Sequence, residues 1–206
     1  MPSDTFLNLP DAKRERILDA LFDEFSSHSY GLASTNRIAS TLGIAKGSIF
    51  QYFGSKRDIY MYLVDLVVKA KFKYVEAAAL DPAADMFTVL RGMILASAAF
   101  ARDNPRYVAF FSRLLEEKDT QELGDLTARL HASSEAYITR MVASEAASGR
   151  LRPDLDQGLA AFVINRMIIE FGTYLRRRTP GAHPTELEER EVDALIDMLR
   201  HGLAAR

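Results

Sequence analysis

The segment from Ser34 to Tyr60 constrains this chain more than any other. It reads as two short helices joined by a tight turn, followed by a third helix that opens on a lysine. Ser34 is a good N-cap, because its hydroxyl can accept from a free backbone N–H one turn on. Ile38 and Leu42 are four apart and face the same small core. Ala39 between them lets a second helix cross closely. Gly43 stands where the chain must turn sharply, and glycine tolerates a positive φ. Ile44, Ile49 and Phe53 supply the buried side of the second helix. Ala45, Lys46, Gly47, Ser48 and Gln51 are left near its exposed start. This is the pattern of a helix-turn-helix, whose second helix can enter the major groove of DNA. Lys46 can donate to guanine acceptors and Gln51 suits adenine. Tyr52 and Lys56 lie at the edge, where phosphate contacts fix register rather than sequence.

The same residues carry a family resemblance. The run Gly43-Ile-Ala-Lys-Gly-Ser-Ile-Phe-Gln-Tyr-Phe-Gly-Ser-Lys56, preceded by Ile38-Ala39, resembles the DNA-binding signature of the TetR/AcrR family of bacterial transcriptional regulators. The likeness extends from Lys13 to about Tyr62. Beyond it, the chain is similar in length, helical character and the phrase from Gly149 to Asp156. The resemblance implies that Ser34 and Thr35 touch phosphate, that Lys46, Gly47, Ser48 and Gln51 face bases, and that Tyr52 and Lys56 grip the backbone. Two departures stand out. Ser29 replaces a glycine usual after the first helix, with Gly31 nearby to take over its role. Phe50 replaces a common tyrosine and so lacks a hydroxyl.

Charge distribution agrees. The 206 residues carry a net charge of −2. Between Tyr30 and Lys73, however, seven basic residues face two acidic ones. A local basic face on an otherwise acidic protein binds phosphates through counterion release. Cysteine is absent, which removes disulfides and thiolate metal sites. No apolar leader opens the chain, and the apolar uncharged run from Gly92 to Ala101 is too short for a bilayer. A cytoplasmic protein without membrane contact is expected.

Helical periodicity continues along the chain. Ile17, Leu18, Leu21, Phe22 and Phe25 form one face of a first helix, with Lys13, Arg14, Asp19, Asp23 and Glu24 mostly opposite. Ser55 caps a long helix from Lys56 to about Leu80, ended by Asp81 and Pro82. Further helices are expected from Met86 to about Ala101, from Pro105 through Leu115, from about Leu123 to Ser148, from Asp156 to Arg178, and from about Glu186 to Leu203. Gly149 closes the third of these. Loops are expected from Glu116 to Glu122 and from Thr179 to Thr185. The expected fold class is all-α: a three-helix helix-turn-helix domain over residues 1–55, joined by a long helix to a larger helical ligand-binding and dimerisation domain over residues 56–206.

The Asp156 to Arg178 helix is apolar on more than one side and needs cover on both. With the last helix it can pack on a second copy as a two-fold four-helix interface, or both can sit in a monomer core. The resemblance favours the homodimer. The body is rich in large side chains, which either fill a core or line a mostly apolar cavity. The family resemblance implies a small-molecule effector there. Candidate contacts are Phe100, Tyr107, Phe111, Tyr137, Met141, Asn165, Glu170 and Tyr174. Asn165 and Glu170 sit in an apolar helix and need partners if buried.

The function expected is a ligand-responsive transcriptional regulator, with repression the family's default direction. It would bind a near-palindromic double-stranded DNA operator as a homodimer. Enzymatic readings fail on motifs: the four histidines are scattered, and the nucleophile elbow, the phosphate loop and paired Glu-x-x-His motifs are missing. Neither cofactor nor metal is expected. The alternative is a dimeric helical scaffold that binds protein, with the basic face incidental.

Overall fold

The structure is a computed structural model that describes residues 1–78, 84–117, 123, 126–178 and 185–204. The expected helix stop at Asp81 and Pro82, most of the charged loop after residue 116, and most of the loop from 179 to 185 lie outside the described residues. Among the described residues the chain is helical and has no β-strand. The helices are α1 (Asp4–Leu7), α2 (Asp11–Ser27), α3 (Thr35–Leu42), α4 (Lys46–Tyr52), α5 (Lys56–Ala78), α6 (Met86–Asp103), α7 (Pro105–Glu116), α8 (Leu126–Ala147), α9 (Gln157–Arg178) and α10 (Thr185–Leu203). They pack as two units, Met1–Ala70 with Asp103–Thr127, and Lys71–Arg102 with Ala128–Arg206.

In the first unit the apolar face of α2 is buried, with Leu21, Phe22 and Phe25 inaccessible or nearly so. Ile38 and Leu42 of α3, Ile49 of α4, and Ile59 and Leu63 of α5 complete this core. Helix α7 begins with Pro105 at its first turn, where the missing N–H costs nothing. It packs along α2: Phe110 meets Phe22 edge-on at 5.5 Å and Tyr60 at 5.1 Å. Arg106 hydrogen-bonds Asp19 of α2, and its guanidinium lies 4.9 Å from the Phe22 ring centre. Burial pushes the Tyr60 hydroxyl well above its ordinary pKa, and the nearby Glu117 carboxylate adds to this.

Helix α1 has no counterpart among the helices expected from sequence. Four residues are too few to show a period. Ser3 caps it, accepting from the Phe6 N–H. Phe6 is fully buried, 4.8 Å from the Phe53 ring and 5.8 Å from Tyr62. A short antiparallel bridge joins Pro2 to Phe53.

The second unit has its own core. Phe87, Leu90 and Ile94 of α6, Ile138 and Val142 of α8, Ala161 and Ile164 of α9, and Val192 and Ile196 of α10 meet there. Arg91 pairs with Asp193 at 2.6 Å, and Arg200 with Asp85 at 3.0 Å, tying α10 to α6 and the residue before it. Gly149 closes α8 at φ 73°, a left-handed position that other residues adopt only under strain. The following Arg150 returns to the buried Glu145 with two hydrogen bonds of 2.7 and 2.8 Å.

Helix α9 is long and apolar enough over Gln157–Leu175 to cross a membrane by length and composition, yet most of that stretch is uncovered in the single chain. Its Arg166 and Glu170 argue against a lipid setting, since a charge at the bilayer centre costs about 2.5–3.5 kcal/mol on insertion scales. Leu159, Phe162 and Val163 are exposed on it, and Met198 on α10 is 73% exposed. Between α9 and α10 lies an open groove of about 230 Å³ lined by Phe171, Tyr174, Glu191, Ala194, Leu195 and Met198.

Truncation at Phe6 tests the first core. Phe6→Ala is expected to cost about 3–5 kcal/mol, the usual loss for a buried phenylalanine, read as a lower urea midpoint with helical content retained below the transition.

Candidate nucleic-acid interface

The interface is built from α3, α4 and the first turn of α5. Ser34 caps α3 as expected, with its hydroxyl 3.4 Å from the Arg37 N–H. Gly43 adopts φ 66° and ψ 33°. Its N–H donates to Ser40 and that of Ile44 to Ala39, which closes α3 and turns the chain into α4. Gly31, expected to supply a special turn, has no left-handed φ, and an added Cβ there would meet nothing within 4 Å. Its contribution is its carbonyl, which accepts from Lys56 Nζ at 3.2 Å.

Helix α4 divides cleanly. Ile49 and Tyr52 are buried, while Lys46, Gly47, Phe50 and Gln51 are exposed and Ser48 is half-buried. At 100° per residue the four exposed positions span roughly 140° of one face. Seven residues do not hold a helix alone, and the N-terminal arm braces this one. The Ser3 hydroxyl donates to the Gln51 carbonyl at 2.7 Å, and the Ser3 N–H to the Tyr52 carbonyl at 2.9 Å. These carbonyls belong to the last turn, which has no partner within the helix. The Tyr52 ring lies 6.0 Å from Phe6, so its body belongs to the interior.

Lys56 opens α5 half-buried, its ammonium 4.7 Å from the Tyr30 ring centre. Ser55 caps that helix, accepting from the Asp58 N–H at 3.0 Å and donating to the Asp58 carboxylate at 2.6 Å. Thr35 is half-buried at the start of α3.

A polar hub that sequence reasoning missed sits under the loop before α3. Glu24, expected on the outward face of α2, is only 9% exposed. Its carboxylate accepts from the Ser34 N–H at 2.7 Å and from Arg37 Nη2 and Nε at 2.6 and 3.1 Å. Arg37 also donates to the Leu32 carbonyl at 2.8 Å. His28 Nδ1 lies 3.6 Å from Glu24. Burial raises the Glu24 pKa, but the Arg37 and Ser34 hydrogen bonds and the charges of Arg37 and His28 outweigh it and hold it below the ordinary carboxylate range. Two further contacts close the head: the Tyr30 N–H donates to Glu117 at 2.7 Å, and Arg16 donates to the Leu42 carbonyl at 3.0 Å.

The candidate effector residues are placed as follows. Tyr107 and Phe111 are half-buried in the first unit, Tyr107 5.0 Å from the Phe22 ring. In the second unit Phe100 is buried against Tyr74 at 5.5 Å, Met141 packs on the core, and Tyr137 is 39% exposed. Asn165 is buried and finds its partner in Ser134, whose hydroxyl donates at 2.9 Å. Glu170 is exposed. The Tyr174 hydroxyl meets Glu191 at 3.1 Å in the α9–α10 groove.

The model of the bacterial regulatory proteins of the tetR family matches residues 17–63, the stretch from within α2 through α3 and α4 to the start of α5. A crystal structure of a TetR family transcriptional regulator from Chloroflexus aurantiacus is 34% identical, with all of both chains covered and a TM-score of 0.82. The chain belongs to the TetR family of transcriptional regulators. The HTH-type transcriptional regulator YhgD of Bacillus subtilis, itself uncharacterised, is 20% identical over 157 residues, 76% of this chain and 81% of that one. The fatty acid degradation regulator FadR of Bacillus halodurans shares the fold at 19% identity and a TM-score of 0.68, with 97% of this chain and 100% of that one covered. In this TetR-family chain the helix-turn-helix is thus an N-terminal DNA-binding element in an all-α fold.

The Glu24 hub generates a pH prediction. Because its folded pKa is depressed, its stabilisation is fully present above the unfolded carboxylate value of about 4.3 and is lost as the pH falls through the lower folded value. Glu24→Gln is expected to cost about 2 kcal/mol at neutral pH and to flatten the loss of stability below about pH 4.3, measured by urea unfolding across pH.

Proposed function

We propose that the chain is a homodimeric, ligand-responsive regulator, by family default a repressor, that binds a near-palindromic operator through α4. The observation that carries this is the division of α4: Ile49 and Tyr52 inward, and Lys46, Gly47 and Gln51 outward on one face. In this reading Lys46, Gly47, Ser48 and Gln51 face bases. Ser34, Thr35 and Lys56 hold phosphates, and Tyr52, buried but for its rim, supports the helix at the backbone edge. Residues 1–55 form the DNA-binding part, and residues 56–206 the effector and dimerisation part, with α7 packed on α2. The protein works where the DNA is, in the cytoplasm.

The second copy covers the apolar surface of Leu159, Phe162 and Val163 on α9 and of Met198 on α10, all exposed in the single chain. Two-fold pairing spaces the reading helices by one or more turns of duplex, roughly a multiple of 34–36 Å. The effector is a small, mostly apolar molecule held among the aromatic residues of the body. It binds better to a conformation in which the heads are misplaced for the operator. A coupling of about 1–3 kcal/mol suffices for a 5–150-fold change in DNA affinity, and DNA weakens effector binding by the same factor.

Substitution separates the contact classes. Lys56→Ala is expected to weaken all duplexes about equally and to lower the salt slope by about one, whereas Gln51→Ala changes preference at one or two base pairs. Anisotropy titrations across salt on genome-selected fragments read both. A wild-type protein that binds no duplex even at low salt would return the reading to a protein-binding scaffold. For assembly, Phe162→Glu places a charge on the proposed interface and is expected to yield monomers by sedimentation, with α-helical content unchanged.

A further inference from the structure

Phe50 is an exposed aromatic residue on the outward face of α4. The residue is 42% exposed. The neighbouring rings Tyr52, Phe53 and Tyr62 all engage Phe6, whereas Phe50 makes no ring contact of this kind among the described residues. On a helix Phe50 lies beside Lys46, four residues back, and Gly47, three residues back. Gly47 is unusual in turn. It is helical with no positive φ, and an added Cβ would meet no atom within 4 Å. Neither backbone conformation nor packing within the chain calls for glycine at this first-turn position, and its bare backbone is open to close approach from outside. The two features adjoin: the exposed Phe50 side chain and the bare backbone of Gly47 lie three residues apart on one face of α4, and Lys46 is exposed on the same face.

We propose that Phe50 is a specificity-determining residue, and that the surface it forms with Gly47 receives the C5-methyl group of one thymine in each operator half-site. This rests on the reading of α4 as the helix that enters the major groove. Thymine is the natural occupant because its methyl is the one apolar group that unmodified bases present in that groove, and phenylalanine is among the side chains that meet it. A phenylalanine without a hydroxyl cannot hydrogen-bond phosphate, so its exposure on the reading face is accounted for by apolar contact alone. The charge beside it fits the same occupant, since Lys46 can donate to an acceptor on a neighbouring base.

The test uses the full chain and a duplex recovered from the host genome by selection. Each thymine is replaced singly by deoxyuridine, which removes only the methyl. Wild type is expected to lose about fourfold in affinity at one thymine per half-site, the worth of one buried methyl group. Phe50→Ala is expected to bind the parent duplex more weakly and to be indifferent to thymine or uracil at that position. Phe50→Tyr, which keeps the ring, retains the difference. Gly47→Ala is expected to leave the melting temperature unchanged or higher while weakening the parent duplex several-fold, opposite signs that a purely structural glycine would not give. Tight binding with no methyl-sensitive thymine, or a methyl effect that survives in Phe50→Ala, overturns the assignment while leaving the regulator reading intact. Failure of wild type to bind any selected duplex overturns both.

Discussion

The arrangement of the head depends on one buried carboxylate. Glu24 lies near the end of α2 and receives both the N–H of the residue that caps α3 and the guanidinium of Arg37 within α3. The loop between these helices buries Tyr30 and Ala33 but leaves Leu32 71% exposed. Hydrogen bonds to a charged acceptor fix its far end, where Ser34 opens α3. They are worth more than neutral ones, and a buried carboxylate left without them is costly. The loop and the start of α3 thus have one low-energy position relative to α2.

The second constraint is the brevity of α4. A helix of seven residues has its stability supplied from outside. Ile49 anchors it from within, Gly43 sets its entry angle, and Ser3 closes its last turn, while Phe6 wedges beside Tyr52 and Phe53. With its buried side fixed at these points, the helix presents Lys46, Gly47, Phe50 and Gln51 as a single rigid face. A reading element needs this, because misplacement by an ångström breaks hydrogen bonds to base edges.

The helix-turn-helix was legible because its determinants are local. Ile38 and Leu42 one turn apart, Gly43 at the turn and Ile49 after it lie within a dozen residues, and each has a single structural use. The body helices were legible from periodicity for the same reason, and α7 begins at Pro105 as its ring dictates. Glu24 was not legible. On α2 it reads as one more charged residue among Asp19 and Asp23, and its partner Arg37 lies 13 positions away with no period linking them. Helix α1 escaped because four residues show no period, and the burial of Phe6 rather than of its neighbour Leu7 is decided by Tyr52, Phe53 and Tyr62, some fifty residues on. Asn165 and Glu170 looked equivalent on α9. Only the fold distinguishes them, burying the first against Ser134 and leaving the second in solvent.

The exposed face of α4, held from behind by α2, α3 and the N-terminal arm, is the proposed docking surface for DNA. Hydrogen–deuterium exchange of the full chain, with and without a genome-selected duplex, tests it most directly. Added protection is expected to concentrate in α3, α4 and the first turn of α5. Protection confined to α9 and α10, or spread evenly over the chain with none favouring α4, would contradict it.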